Sequence, residues 1–205
     1  MGEGWAQEPW SQKEMPVSEA LAQKAAASSD LAVVVLGRTA GEDMDNSAEP
    51  GSYLMTAEEE ALIKTVCSAF KRTAVVLNVG NIIDMKWVRE FDPAAVLYAW
   101  QGGQEGGNGA VDVLTGKVCA CGKLTDTIAA DIHDYPSTAD FGDPYKNFYK
   151  EDIYVGYRYF ETFAKDKVLY PFGYGLSYTS FGIKAEILKN SEEELTVAAE
   201  VVNTG

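Results

Sequence analysis

Three stretches of this chain are almost continuously apolar and rich in β-branched residues: Leu31–Leu36, Thr73–Val79 and Ala94–Trp100. Unbroken hydrophobicity, as opposed to strict alternation, is the pattern of a parallel strand covered on both faces of its sheet. Around these runs the apolar positions switch to a helical period. Leu62, Ile63, Val66, Cys67 and Phe70 recur at i, i+3/i+4 spacing and predict one buried face for a helix over Thr56–Phe70. Thr56 and Glu59 have the spacing of a capping box at its start. Shorter helices are predicted over Met85–Phe91, ended by Pro93, and over Glu105–Leu114, where Gly116 can close the C-terminus. Another spans Val17–Ser28, and Lys123–Ile128 carries a fainter strand pattern. Strand alternating with helix at short intervals defines an α/β chain: a three-layer α/β/α sandwich with a mostly parallel sheet and right-handed crossovers. Because the chain opens in irregular sequence, this sandwich is expected to lack its first element.

The pattern changes after Asp131. His133–Lys150 has no clean period and reads as a surface connection. An aromatic block follows, Ile153–Phe163, and then YPFGYGLSYTSF over Tyr170–Phe181. Phe181–Leu188 and Leu195–Val202 alternate apolar and polar residues on either side of the polar stretch Lys189–Glu194, the signature of a β-hairpin. Two strands alone are marginal. The expected organisation is therefore an α/β domain over residues 1–180 and, over 181–205, the first strands of a β-sandwich.

Charge narrows the partners. With 17 Lys+Arg against 31 Asp+Glu, the formal net charge is −14. Nucleic acid and anionic membrane both reward basic patches, so neither is expected as a partner. No run approaches the roughly 18 apolar residues of a membrane span, and MGEGWAQEPWSQKE lacks the features of a signal peptide. Cys67, Cys119 and Cys121 are an odd number, and the last two are spaced poorly for a disulfide or a zinc site. Free thiols suit a reducing compartment, so a cytoplasmic location is expected, or a secreted one if a signal lies upstream.

Ligands of open parallel sheets bind beyond the carboxyl ends of the strands. That edge collects Gly37-Arg38-Thr39-Ala40-Gly41-Glu42-Asp43-Met44-Asp45, then Gly80-Asn81, then Gln101-Gly102-Gly103-Gln104-Glu105. Glu42 follows Gly41 in a loop directly after a strand, with Asp43, Asp45 and Glu49 close by in sequence, and like charge raises a carboxyl pKa. A proton donor needs such a shift; a solvated acidic loop would have the same sequence. The acidic residues could also hold a hard cation, but the loop lacks the EF-hand pattern, and neither a metal nor a cofactor is expected. GGQEGGNG carries neither the Walker nor the dinucleotide fingerprint, and Glu105 at the following helix start would repel an anion, so a tight turn is the simpler reading. His133 has no nucleophile and acid arranged around it. Trp100 and the cluster Tyr154, Tyr157, Tyr159, Phe160 and Phe163 could stack on sugar rings, although aromatic clusters of this kind more often serve packing.

The segment KEDIYVGYRYFETFAKDKVLYPFGYGLSYTSF (Lys150–Phe181), together with LAVVVLGRTAGEDMDN, TAVVLNVGN, VLYAWQGGQEGGNGAVDVLTG and GKLTDTI in that order, resembles the C-terminal domain of family 3 glycoside hydrolases. The resemblance covers Asp30 to Gly205. It implies a retaining β-glycosidase, most simply a β-glucosidase, with its active site shared between two domains. The sandwich domain would supply the acid/base glutamate within a G-E-x-x-D loop, here Glu42 with Asp45 at the aspartate position. A (β/α)8-like domain outside this chain would supply the aspartate nucleophile. Arg38, Asp45 and Trp100 are the candidate sugar-binding residues, and the substrate is a β-glucoside or oligosaccharide. The hairpin would open a fibronectin-type-III-like domain. One branch of the family places the sandwich before the barrel, which suits a start in sandwich-type sequence, and the intact enzyme could form a homo-oligomer. Asn46 departs from the arginine of many relatives, and CACGKLTDT departs from the usual P-S-G-K-L-P. Retention requires two carboxyl groups about 5–5.5 Å apart across the scissile bond. Asp43 and Asp45 share a loop with Glu42 and cannot easily supply the opposite face, so the nucleophile is expected from elsewhere. The competing class is a non-catalytic carbohydrate-binding or interaction module using the same edge, and a nucleotide-binding domain is disfavoured by the absent phosphate motif.

Overall fold

A computed structural model describes Pro9, residues 11–39 and residues 45–205. The chain runs α1 (Glu19–Ala26), β1 (Leu31–Gly37), α2 (Ala57–Ala69), β2 (Arg72–Asn78), α3 (Trp87–Phe91), β3 (Ala95–Tyr98) and α4 (Gly106–Leu114). β1, β2 and β3 form one parallel sheet in that order, with Leu31 opposite Arg72 and Leu77 opposite Tyr98. Each predicted run becomes a strand, and each ends slightly earlier or later than the apolar pattern does.

α2 begins as its sequence demands. The Thr56 hydroxyl accepts from the Glu59 N–H at 3.1 Å, and the Glu59 carboxylate accepts from the Thr56 N–H at 2.7 Å. Ile63 and Val66 then face the sheet and join Val34, Leu36, Val75, Leu77 and Val79 in the principal core. Fully burying one such aliphatic side chain contributes about 1.5–3 kcal/mol.

The two faces of the sheet are not equivalent. Even-numbered β1 residues, Val34 and Leu36, point at α2 and are buried, whereas Leu31, Val33 and Val35 on the opposite face are exposed, Val35 at 57 %. The expectation of cover on both faces thus holds for β2, where Thr73 through Leu77 are all buried, and fails for β1. β1 is an edge strand among the described residues, and these second-face side chains stay only partly covered.

A second correction concerns Lys123–Ile128. Only β4 (Ile128–Ala129) is extended, and it pairs antiparallel with β5 (Val168–Tyr170) as a separate two-stranded ribbon. Between them lies α5 (Tyr157–Phe163), whose Phe160 is buried with Ala129 and Ala164. Tyr135 meets the Phe160 ring edge-on at 5.3 Å. Part of the aromatic block therefore serves packing, while Tyr154, Tyr157 and Phe163 stay exposed. β6 (Phe181–Asn190) and β7 (Leu195–Asn203) form the expected antiparallel hairpin, with a register shift between Ile187 and Lys189.

Candidate active site

Strand register fixes the order of residues along the carboxyl edge. The Arg38 N–H donates to the Asn78 carbonyl at 3.1 Å, and the Ala99 N–H donates to the Leu77 carbonyl at 2.9 Å. Arg38, Val79 and Trp100 therefore lie at one level on three neighbouring strand ends, the outer two about 10 Å apart by strand spacing. Gly80 permits the close approach of Gln101, whose amide nitrogen lies 3.0 Å from where a Cβ would stand. The Tyr98 hydroxyl donates to the Asn81 carbonyl at 2.7 Å, joining the ends of β2 and β3. Burial pushes the Tyr98 hydroxyl pKa well up, so it stays a protonated donor.

The glycine-rich loop is exposed, and its backbone is tight at one point. A Cβ on Gly102 would lie 2.6 Å from the Gly106 Cα, so the turn into α4 admits no side chain there. Glu105 accepts from the Asn108 side chain at 2.6 Å, in keeping with a structural turn.

Of the candidate residues, Glu42 lies outside the described residues, as do Gly41 and Asp43. Asp45 is exposed where the chain re-enters the described structure. Trp100 is half-buried and adopts φ +55°, a conformation uncommon for a bulky residue, with its ring 4.4 Å from that of Tyr98. Arg38 is turned away from the edge. The period of two that sends Val34 and Leu36 toward α2 sends Arg38 the same way. Its guanidinium forks onto the Glu59 carboxylate, Nη1 to Oε1 and Nη2 to Oε2, the latter at 2.9 Å. Nη1 also donates to the Gly37 carbonyl at 3.2 Å, and Nε to the Ser52 carbonyl at 3.3 Å. The two side chains are 2 % and 1 % exposed.

The segment from Asn46 onward is tied in by side chains, Asn46 among them, whose partners lie far along the chain or in the next turn. Asn46 donates to the Ile82 carbonyl at 3.2 Å, and the Ser52 hydroxyl accepts from the Ser47 N–H at 3.0 Å. The Tyr53 carbonyl accepts from the Asp84 N–H at 2.8 Å, which holds this turn against the segment leaving β2. A helix-start glutamate facing a strand-end arginine of buried parity was the available sequence signal for Glu59.

Other groups lie apart from this edge. His133 is exposed and pairs locally with Asp131 at 2.8 Å. A groove of about 460 Å³ runs along α5, lined by Ile153, Tyr154, Tyr157 and Arg158, away from the sheet edge. No helix among the described residues is long and apolar enough to cross a membrane.

A parallel sheet whose carboxyl edge gathers a tight glycine turn and a half-buried tryptophan defines an α/β domain. Residues 12–178 match the glycosyl hydrolase family 3 C-terminal domain, and the chain belongs to that family. It is 54 % identical over its whole length to a β-glucosidase of Ruminococcus albus, of which it spans 21 %. Among solved structures, a β-glucosidase from Paenibacillus barengoltzii matches all of the chain with a TM-score of 0.92 at 51 % identity. The β-glucosidase 3B of Thermotoga neapolitana, solved in complex with glucose, matches 94 % of the chain with a TM-score of 0.83 at 38 % identity. The chain spans 23 % and 28 % of the length of those two proteins.

Proposed function

We propose that this chain is the acid/base-bearing portion of a retaining β-glucosidase acting on terminal β-linked glucosyl residues. The observation that carries the reading is whole-chain similarity to β-glucosidases combined with the acidic sequence Glu42-Asp43-Met44-Asp45 that follows β1 in the chain. Glu42 protonates the departing glycosidic oxygen and then deprotonates the water that releases the sugar. Asp45 and Trp100 are proposed to contact the sugar, Trp100 by stacking. The nucleophile comes from a second, (β/α)8-like domain of the same enzyme, since acid and nucleophile must flank the bond. β6 and β7 are proposed to open a fibronectin-type-III-like domain beyond residue 180. A reducing, cytoplasmic compartment suits the free Cys67, Cys119 and Cys121.

The test uses the full-length enzyme. Glu42→Ala should cost about two or more orders of magnitude on glucosides with poor leaving groups. Activated aryl glucosides should lose less in the glycosylation step, and azide should restore turnover by replacing the activated water. Equal losses on both substrate classes, with no azide effect, would remove Glu42 from the mechanism. Residues 1–205 alone should turn over even activated glucosides negligibly, because the nucleophile supplies most of the acceleration.

A further inference from the structure

The Arg38–Glu59 pair needs an explanation that stability does not provide. It lies on the α2-covered face of the sheet, in line with Val34 and Leu36, where an aliphatic residue would continue the core. Removing two charges from water is costly, and an apolar replacement of a buried ion pair is commonly as stable or more so. What an apolar residue cannot do is join backbone segments. Arg38 donates to Glu59, Gly37 and Ser52 together, and Glu59 in turn holds the Thr56 N–H. One ion pair thus links the end of β1, the turn around Ser52 and the first turn of α2.

Both stems of the acidic loop end in this network. The chain leaves the sheet at Arg38 itself. It returns through Asn46 and Ser47, and Ser47 is bonded through its N–H to the hydroxyl of Ser52, whose carbonyl Arg38 holds. Asn46 adds its own bond to Ile82. A guanidinium fork is planar and fixes direction as well as distance, which a lysine or a single hydrogen bond does not.

We infer that Arg38 and Glu59 are positioning residues: their fork fixes where the chain leaves β1 for the segment carrying Glu42 and where, at Ser47 and Ser52, it is tied back to the domain. The inference rests on the proposed acid/base role of Glu42. A proton donor misplaced by an ångström can lose about 100-fold in rate while substrate binding persists.

The test is the double variant Arg38→Met/Glu59→Gln in the full-length enzyme, beside Glu42→Ala. Glutamine still completes the capping box, and no charge is left unpaired, so the double variant should melt near the parent. Its kcat should fall about 10–100-fold on poor leaving groups, with KM little changed. Activated aryl glucosides should fall several-fold less, and azide should recover part of the loss. Arg38→Lys keeps a charge for Glu59 but cannot also reach Ser52 and Gly37, so it should show the same pattern even if the double variant folds poorly. Should both variants keep the parent's ratio of poor to activated substrates while Glu42→Ala changes it, the pair is structural only and the inference is overturned. Uniform losses on all substrates would overturn it equally. A Glu42→Ala variant lacking the leaving-group signature would instead overturn the acid/base reading, and this inference with it.

Discussion

Trp100 holds φ +55° at the carboxyl end of β3, with its half-buried ring 4.4 Å from that of Tyr98. A bulky residue in the left-handed region costs of order 1 kcal/mol or more, and such strain gathers where it orients a functional group. If the indole stacks on sugar, Trp100→Gly in the full-length enzyme should raise KM about tenfold or more. Stability should change little, since relief of backbone strain offsets the lost ring contact with Tyr98. A variant that binds glucose normally but melts much lower would make Trp100 a packing residue.

The double use of Glu59 separates two energies that usually overlap. Thr56→Ala removes the hydroxyl that caps the Glu59 N–H and should cost about 1 kcal/mol. Glu59→Ala removes the reciprocal cap and also strands the buried Arg38 guanidinium, for which about 3–5 kcal/mol is expected. Denaturant unfolding of both variants measures the difference. Similar losses would mean that Arg38 finds solvent or another partner once Glu59 is gone.

The contrast between these two residues also marks what the sequence made legible. Thr56 and Glu59 announce a helix start because their bond is local. The Arg38 fork spans twenty-one residues and depends on the fold, although strand parity already aimed Arg38 at α2. The β4–β5 ribbon was hidden for a related reason. Ile128 pairs with Tyr170, far along the chain, and two extended residues leave no periodicity to detect. The exposed face of β1 escaped because Leu31, Val33 and Val35 have the composition of covered residues. Hydrophobicity records which surface should be covered, not whether the cover lies within these 205 residues.

The cysteines should differ in reactivity. A hydrogen bond from Ser177, then the Tyr178 N–H, hold the exposed Cys119 thiol below the usual thiol range, while burial pushes Cys67 up. A lowered pKa means that thiolate persists to lower pH, and thiolate is the nucleophile. Iodoacetamide should therefore modify Cys119 ahead of Cys67, with its rate levelling off at lower pH, as peptide mass spectrometry can follow. Ser177→Ala should move the Cys119 profile to higher pH. Identical profiles before and after that change would remove Ser177 as the cause.

The hairpin gives the last expectation. Ile183 pairs with Val201 and Ile187 with Val197, which sets an apolar stripe on one face of the β6–β7 ribbon. All four residues are exposed, and no described element covers them. The Thr204 N–H donates to the Ser180 carbonyl at 2.8 Å and closes the open end of the ribbon, and just before it the Tyr178 hydroxyl donates to the Val113 carbonyl of the body at 3.3 Å. β2, by contrast, is paired on both edges and buried on both faces. Local opening free energy follows such burial, so the hairpin amides should exchange through local opening far below the global stability, while those of β2 should wait for global unfolding. An uncovered apolar ribbon with free edges should also self-associate as concentration rises. Hydrogen exchange on the 205-residue chain at low and high concentration tests both points. If Leu195–Val202 is protected as strongly as Val75–Val79 at low concentration, the hairpin is integral to the α/β domain and the boundary near residue 180 is misplaced. If protection appears only at high concentration, the stripe has found its cover in a second molecule.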